Sequence, residues 1–443
     1  MNEKFETSVV SSLDARRDQV KRILIYSHDT VGLGNIRRTL VIANHLVEHN
    51  PDTTVLIISG SPMLHAFRIR PGIDYLKLPC LDRASEADGY KVRSLSVGFS
   101  DLIRLRASLI QQTIMDFDPH LILVDKKPLG VGRELAPAFE LLGLRGKKPR
   151  CALLLRDILD HPEQTTRVWR EHRYYDALEA FYDKVFVLGS EDVFDLATEY
   201  QFPQRVADKV EFCGYIGRPR GARGGAFIRN KYGVGDAPLV LVTVGGGEDG
   251  APLLNTYINA LESAGDQIRH HSLILTGPDL SPEQHEQLKR RAARLPHCHL
   301  GEFSDDSMSK LEAADLVVAM GGYNTVCEVL TLRKPAIIVP RARPVQEQLI
   351  RAERMARRGW LEMMHPDDLS PANMLGAVQQ QLARPVRVLG DAVSLRGMDA
   401  LSEGIDRMLS RGRTPGGATV FPLQLQEIAV EAAYISGANS RRL

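Results

Sequence analysis

The stretch that decides the fold is Ala313 to Gln348, which reads AADLVVAMGGYNTVCEVLTLRKPAIIVPRARPVQEQ. An apolar strand at 316–320 runs into Gly321-Gly322, and a helix begins directly after this glycine turn. The first N–H groups of a helix have no partner within the helix, and the positive end of the helix dipole lies there too. The turn therefore predicts an anion-binding site above a sheet.

The helix after the turn carries three polar residues that bear on the ligand. It opens with Asn324 and Thr325, and Glu328 follows about one turn further along. A carboxylate at this place would repel a phosphate, but it suits a neutral diol such as a ribose. The helix therefore predicts a ligand that has both a phosphate and a diol, and a nucleotide has both.

Length, charge and cysteine usage bound the class of protein. A chain of 443 residues is too long for one ordinary core and predicts two domains of about 100–200 residues each. The net charge of +1 provides no global field that would attract nucleic acid. Five cysteines without C-x-x-C spacing indicate a reducing compartment. No apolar run approaches the roughly 18 residues that span a bilayer, so we expect a cytoplasmic protein.

Apolar strand-like runs alternate with helical periodicity along most of the chain. The runs are 23–26, 55–59, 121–124, 152–155, 185–188, 239–244, 272–275, 316–319 and 336–339. This alternation predicts an α/β protein with two Rossmann-like, doubly wound domains in series. The expected boundaries are a polar tail at 1–20, a first domain at 21–213, a Gly-, Arg- and Pro-rich linker at 214–225, a second domain at 226–385, a C-terminal helix at 386–412 that packs back toward the first domain, and a tail at 413–443.

Two further glycine turns follow predicted strands. One contains Gly32, Gly34 and Asn35, and the other is Gly245, Gly246 and Gly247. Neither fits the G-x-G-x-x-G fingerprint or the P-loop, which weakens dehydrogenase and ATPase interpretations. A sharp turn from strand to helix requires glycine even without a ligand. Because ligands of open α/β sheets bind at the carboxyl ends of strands, we nevertheless expect all three turns to face one cleft.

The second predicted domain resembles the carboxy-terminal domain of family 28 glycosyltransferases, which include the UDP-N-acetylglucosamine transferase of peptidoglycan synthesis. The resemblance is best over 301–348, where GEFSDD, the Ala-Asp before the strand and the glycine–Thr-Val-x-Glu helix start match the family. Gly245 to Gly247 matches the second glycine loop of the family. In the first domain, the Gly32 to Asn35 turn matches more loosely, and GLGNIRR is similar to uncharacterised bacterial members of this superfamily.

The resemblance implies the GT-B fold, in which two Rossmann-like domains face a cleft, and it implies a nucleotide-sugar donor in the second domain. On the family pattern, Glu328 binds the ribose hydroxyls, and Thr325 with the adjacent N–H groups binds the diphosphate. The backbone around Phe303 binds the base, and Gln348 binds the donor sugar. We expect a UDP-hexose or UDP-N-acetylhexosamine, inversion at the sugar, and neither a metal ion nor another cofactor.

Asn35 is the main departure from the family, which commonly has histidine at this place. An amide cannot take up a proton near neutral pH. If the histidine of the family serves in catalysis, this chain has lost that group or moved its task elsewhere.

An inverting transfer needs a base for the acceptor hydroxyl. Three carboxylates follow first-domain strands, namely Asp29, Asp125 and Asp157, and His28 is a fourth candidate. Asp29 is preferred because it lies nearest the glycine turn. Each of them could instead cap a helix or form an ion pair, as Asp157 would with its neighbour Arg156.

Two arginines are candidates for contact with the phosphates. Arg37 follows the first glycine turn, and Arg341 leaves the strand at 336–339 directly. Arginines on an amphipathic helix are usually solvated, so this alternative stays open for Arg37. We favour a place in the cleft for Arg341.

Three functions remain open at this point. The leading one is a glycosyltransferase of cell-envelope polysaccharide type, whose acceptor is an unknown glycan, a lipid-linked molecule or a small molecule. The second is a UDP-sugar 2-epimerase, which shares the two-domain fold, and the third is a non-catalytic donor-binding subunit, suggested by Asn35. No nucleic-acid partner is expected. The predicted helix at 99–117 could rest on the inner face of the membrane, or it could be an ordinary core-facing helix.

Overall fold

The structure is a computed structural model, and it describes residues 20–27, 34–83, 89–145, 147–246, 249–302, 306–384, 393–411 and 414–415. Some of the residues singled out above lie outside the described residues. They are His28, Asp29, Gly32, Gly247, Phe303 and the side chain of Asn35. The two predicted tails lie almost entirely outside them as well.

The described residues of the first half form a seven-stranded parallel sheet and a short hairpin. The strands are β1 (Lys21–Ser27), β2 (Thr53–Ser59), β3 (Ile73–Lys77), β4 (Leu81–Arg83), β5 (Tyr90–Val92), β6 (Leu121–Asp125), β7 (Lys147–Lys148), β8 (Arg150–Arg156), β9 (Lys184–Leu188) and β10 (Val210–Phe212). The helices are α1 (Gly34–His49), α2 (Phe99–Phe117), α3 (Ala136–Gly143), α4 (Pro162–Glu171), α5 (Tyr174–Phe181), α6 (Leu196–Glu199) and α7 (Gln204–Ala207). The sheet order is β10-β9-β8-β6-β1-β2-β3.

The described residues of the second half form a six-stranded parallel sheet, ordered β13-β12-β11-β14-β15-β16. Its strands are β11 (Leu239–Thr243), β12 (His271–Leu275), β13 (Cys298–Gly301), β14 (Leu316–Ala319), β15 (Ala336–Ile338) and β16 (Glu362–Met363). Its helices are α8 (Gly224–Lys231), α9 (Ala251–Ala264), α10 (Pro282–Ala292), α11 (Ser307–Ala313), α12 (Tyr323–Thr331), α13 (Glu347–Arg357) and α14 (Pro371–Ala383). Short 3₁₀ turns occur at Leu64–Ala66, Val131–Arg133, Gly265–Gln267 and Pro366–Asp368.

Helices cover both faces of the two sheets, and this explains the continuous apolar runs in the sequence. Strand β6 reads LILVD and strand β14 reads LVVA, and every residue of both is buried. A strand that is buried on both faces cannot alternate apolar and polar residues. The two predicted Rossmann-like domains therefore correspond to the two sheets.

The residues predicted as a linker, 214–225, pack closely against the second half. The backbone N–H groups of Arg223 and Gly224 donate to Ser309 Oγ on α11, at 3.1 and 2.8 Å. A Cβ on Gly221 would collide with the backbone of Ser309. The glycines of this segment therefore permit close backbone packing, and the segment does not act as a loose tether.

A last helix, α15 (Gly397–Ser410), lies on the first half of the molecule. A Cβ on Gly404 would stand 2.5 Å from the ring of Phe186 in β9. Lys21 pairs with Asp406 at 3.4 Å, and Arg407 donates to Glu211 at 2.5 Å. A final short strand, β17 (Thr414–Pro415), pairs with β7. The chain thus crosses from the first sheet to the second and returns.

Within the described ranges, no helix combines the length and the apolar character needed to cross a membrane. In the same residues, no group of three or more His, Cys, Asp or Glu is arranged to hold a metal ion.

Candidate active site

Several of the predicted donor residues lie at the carboxyl ends of three neighbouring strands. Strand β14 lies between β11 and β15 in the second sheet. Gly245-Gly246 follows β11, Gly321-Gly322 follows β14, and Arg341 follows β15. Adjacent parallel strands bring their following loops to one edge of the sheet. The described part of the predicted donor site is therefore a single surface.

The Gly321-Gly322 turn aims the start of α12 at this surface. Gly321 has φ +85°, and a Cβ there would lie 2.7 Å from Ile338 Cγ2, so this position needs glycine. Gly322 is the N-cap of α12, and among the described residues no side chain caps the helix. The first N–H groups of α12 therefore remain available for an anionic ligand.

Glu328 lies half-buried one turn into α12. Its Oε1 accepts from Ser307 Oγ at 3.4 Å. Burial raises the pKa of the Glu328 carboxyl, and the charges of Arg218 and Arg37 oppose this rise. Because Arg37 comes from α1, the carboxylate senses a charge from the opposite half of the molecule. The place of Arg37 at the cleft stays a prediction.

Arg218 is a site residue that sequence reasoning missed, because it lies in the segment interpreted as a linker. Its Nη2 donates to Asn324 Oδ1 at 2.7 Å, and its backbone N–H donates to Thr331 Oγ1 at 3.2 Å. Its Nε is buried and has no hydrogen-bond partner among the described residues. Asn324 therefore holds a guanidinium beside the N-terminus of α12, next to Glu328.

The glycine loop after β11 packs against a neighbour that was not predicted. Gly245 has φ +71°, and the Gly246 carbonyl accepts from the Asp279 N–H at 2.8 Å. A Cβ on Gly277 would collide with the Gly246 carbonyl. The loop after β12 thus supports the loop after β11, and Gly277 is necessary for this contact.

Arg341 connects the loop after β15 to both of its neighbours. Its Nη1 donates to Asp249 Oδ2 at 3.0 Å, and its backbone N–H donates to Gln348 Oε1 at 3.1 Å. The Gln348 side chain is therefore oriented at the start of α13, with its amide nitrogen left to donate elsewhere. The charge of Arg341 is partly neutralised by Asp249.

Glu347, which the sequence did not single out, lies among several cationic side chains at the boundary between the two halves. It is 7% exposed and pairs with Arg156 at 3.1 Å. Burial alone would raise the pKa of the Glu347 carboxyl, yet Arg156, Arg351 and other cations around it lower the pKa overall. Helix α13 thus presents an ionised carboxylate to the first half.

Asp157, predicted as a candidate base, is instead committed to a buried ion pair between the two halves. Arg351 Nε donates to its Oδ2 at 2.7 Å, and Arg351 Nη2 donates to its Oδ1 at 2.8 Å. Both side chains are at most 1% exposed. A carboxylate with both oxygens occupied by a guanidinium cannot approach an acceptor hydroxyl, so the geometry contradicts the base role. Arg156, expected beside it, pairs with Glu347.

Asp125 is committed in the same way within the first half. Arg38 Nη2 donates to both of its oxygens, at 2.6 and 2.8 Å, and both residues are almost fully buried. The geometry therefore contradicts the base role for Asp125 too. The signal available in the sequence was Arg38, one residue after Arg37 on an amphipathic helix, but the sequence could not show which of the two arginines turns inward.

Helix α2 buries one of its two arginines. Arg106 is buried and bonded to Glu134 through Nε and Nη2, at 2.6 and 2.7 Å. Only Arg104 of the two arginines on this helix is exposed. Leu105 and Leu109 are exposed on the same helix, at 47% and 36%. The exposed face of α2 therefore carries two leucines next to Arg104.

Two parallel-sheet α/β halves whose carboxyl edges meet constitute the GT-B fold, as predicted. The solved structure of MurG from Acinetobacter baumannii has this fold and matches with a TM-score of 0.57 at 16% identity. The match covers 87% of this chain and 99% of that chain.

Residues 239–387 match the model of the glycosyltransferase family 28 C-terminal domain. This match over about a third of the chain confirms the resemblance seen at 301–348. A glycosyltransferase of Methanopyrus kandleri is 27% identical over 156 residues, which are 35% of this chain and 41% of that protein. The UDP-N-acetylglucosamine–N-acetylmuramyl-(pentapeptide) pyrophosphoryl-undecaprenol N-acetylglucosamine transferase of Alkaliphilus oremlandii is 25% identical over 176 residues. That match covers 40% of this chain and 47% of the relative. Each of the two matches therefore spans less than half the length of the curated relative.

The structural role of Asp125 can be tested with Asp125→Asn. We expect this variant to lose about 3–5 kcal/mol of unfolding free energy, because the buried guanidinium of Arg38 would be left without its counter-charge. Urea unfolding measures the loss. Asp176→Asn is a matched control, since it breaks the exposed pair with Arg173 and should cost at most about 1 kcal/mol. A variant that keeps its stability and loses only turnover would restore Asp125 as the base.

Proposed function

We propose that the protein is an inverting glycosyltransferase that moves a hexose or N-acetylhexosamine from a UDP-sugar to an acceptor hydroxyl without a metal ion. The observation that carries the proposal is the pocket at the start of α12, where Glu328 lies beside Arg218. The family 28 match over 239–387, which contains Glu328, supports an enzyme of this class together with the glycosyltransferase relatives.

A nucleoside diphosphate has a diphosphate and a ribose, and the pocket offers a suitable group for each of them. The N–H groups at the start of α12, with Thr325, suit the diphosphate. Glu328 suits the ribose hydroxyls, since a carboxylate accepts charge-assisted hydrogen bonds from them. Gln348, fixed by Arg341, has an amide group left for the donor sugar. Phe303, assigned to the base by family resemblance, lies outside the described residues and stays a prediction.

Charge on the departing diphosphate can be met without a metal ion. The helix end, the backbone donors of the glycine turns and the guanidinium of Arg218 all surround the proposed diphosphate position. The charge of Arg37, in the first half, also acts on the Glu328 carboxyl. Arg341 contributes less, because Asp249 already pairs with it.

The general base has to come from a residue that is not already held in an ion pair. Asp125 and Asp157 are paired with buried arginines, so Asp29 and His28 are the candidates that remain, and Asp29 is preferred because it lies nearer the glycine turn. Asp29 lies outside the described residues, and so does the side chain of Asn35. Both roles therefore stay predictions.

Incubation with UDP-N-acetylglucosamine separates the three functions kept open from the sequence. A transferase releases UDP only when an acceptor is present, whereas an epimerase changes the free nucleotide sugar. A donor-binding subunit does neither. We expect UDP release that depends on an acceptor from envelope-glycan extracts, and acceptor-independent change of the sugar would contradict the proposal.

Glu328→Gln should weaken UDP binding by about 1–3 kcal/mol, because the charge-assisted bonds to the ribose are lost. Calorimetry on the full chain measures the affinity. Burial raises the pKa of Glu328, so wild-type affinity should fall as pH drops through that raised value, while the Gln variant stays flat over the same range.

The folding stability of the wild type should depend on pH in the opposite sense to its UDP affinity. A raised pKa means that the folded state disfavours the ionised carboxylate, so the wild type loses stability as pH rises above the ordinary value of 4.5. The Gln variant should therefore melt at the same temperature or higher at pH 7. Glu262→Gln, which breaks a partly exposed pair with Arg291 in the same half of the molecule, is the control and should bind UDP normally. Lower stability with unchanged UDP affinity would mean that Glu328 is structural.

Arg218→Ala should weaken UDP binding about 10- to 100-fold and leave uridine binding unchanged, because the guanidinium is expected to contact only the diphosphate. Competition binding with UDP and uridine measures both. Arg220→Ala removes an exposed arginine two residues further along the same segment and serves as the control. Equal losses for UDP and uridine would contradict the assigned contact.

We also propose that α2 contacts the membrane surface, on the basis of its exposed leucines. Leu105→Gln with Leu109→Gln should reduce co-sedimentation with anionic phospholipid vesicles by about tenfold or more, since two apolar side chains would no longer be buried in lipid. Leu144→Gln, a substitution of another exposed leucine of the first half, is the control. Vesicle binding that is absent in the wild type, or equal in all variants, would refute the contact.

A further inference from the structure

We propose that Asp157, a residue of the first half, is a positioning residue for the diphosphate site of the second half. The inference rests on the proposed function, because it assigns a role in donor binding. No part of Asp157 needs to touch the donor. It acts through two other residues, Arg351 and Tyr215, which contact both Asp157 and the residues at the start of α12.

The first connection runs through Arg351. Its guanidinium binds both oxygens of Asp157, and its remaining Nη1 donates to the carbonyl of Gly321 at 3.1 Å. The same guanidinium lies over the ring of Tyr323, the first residue of α12, at 5.7 Å from the ring centre. One side chain therefore holds the glycine turn on one side and the first residue of the helix on the other.

The second connection runs through Tyr215. Its hydroxyl donates to Asp157 Oδ2 at 3.3 Å, and its ring lies 6.2 Å from that of Tyr323. Arg218 follows three residues later and reaches Asn324. The carboxylate of Asp157 thus orients both the segment that carries Arg218 and the turn that begins α12.

Asp157 is itself fixed on the first sheet, so it can serve as a reference point. The Ile158 N–H donates to its Oδ1 at 2.8 Å. Gly189 follows β9, and a Cβ on it would lie 2.5 Å from the Cβ of Asp157. Asp157 therefore has no room to move toward β9. A carboxylate with this many donors and almost no exposure has one orientation.

Another ion pair between the two halves lacks this connection and provides a matched control. Arg354 on α13 donates to Glu199 at 2.6 Å, one helical turn beyond Arg351. Among the described residues, neither side chain forms a hydrogen bond or ion pair with Gly321, Tyr323 or Arg218. If the two halves needed only to be held together, this pair and the Asp157 pair would have the same kind of effect on the donor pocket.

The test compares full-length Asp157→Asn, Arg351→Lys and Glu199→Gln with the wild type. Arg351→Lys keeps the positive charge beside Asp157, but a lysine cannot reach two carboxylate oxygens and the Gly321 carbonyl together. It decides the test if Asp157→Asn does not fold. We expect UDP affinity to fall roughly five- to tenfold in both, the change that corresponds to the loss of about one hydrogen bond, and to be unchanged in Glu199→Gln.

Hydrogen exchange on the unliganded chain separates a failure of this inference from a failure of the proposed function. We expect the amides of Val326 to Glu328 to exchange at least about tenfold faster in Asp157→Asn and Arg351→Lys, while those of 240–242 in β11 keep their wild-type rates. Wild-type exchange at 326–328 in these variants overturns the inference. The same acceleration in Glu199→Gln also overturns it, because general loosening would then be the cause. If the wild type binds no UDP, the proposed function fails, and the exchange result still decides whether Asp157 positions α12.

Discussion

The ion pair between Arg351 and Asp157 is the constraint on which the relation of the two halves depends. Two charges with at most 1% exposure have given up their hydration, and they are tolerated because each satisfies the other at 2.7 and 2.8 Å. Removing one partner of such a pair typically costs about 3–5 kcal/mol. The pair therefore fixes α13, and with α13 it fixes Gln348 and the loop of Arg341, at the edge where the two sheets meet.

The fold was predictable because its signals are local. A strand buried on both faces must be apolar along its length, and a sharp turn from strand to helix must use glycine, so β14, Gly321 and α12 could be inferred from a few dozen residues. The GT-B fold and the family 28 domain were both confirmed. Glu328 was placed correctly at the start of α12 for the same reason, since its position relative to the helix end depends only on spacing.

The ion pairs were not predictable, because a sequence does not state which distant charges meet. Asp125 and Asp157 follow strands, as catalytic carboxylates do, but their partners lie 87 and 194 residues away. Arg218 lay in a segment whose glycines suggested flexibility, although those glycines allow close packing on α11. A hint for the pair at Asp157 was available on α13, where Glu347 and Arg351 share the buried face with Met355. Charges on an apolar stripe indicate partners outside the helix.

Helix α15 has a consequence for the order in which the protein is made. The first sheet ends at Phe212, but the helix that packs on Phe186 begins only at Gly397. A ribosome adds roughly 5–20 residues per second, so the first half waits on the order of ten seconds or more for its last helix. During that interval the surface around Phe186 is uncovered, and the second half has been synthesised before the first is complete. The first half is therefore translated first, but its last helix is added only after the second half has been synthesised.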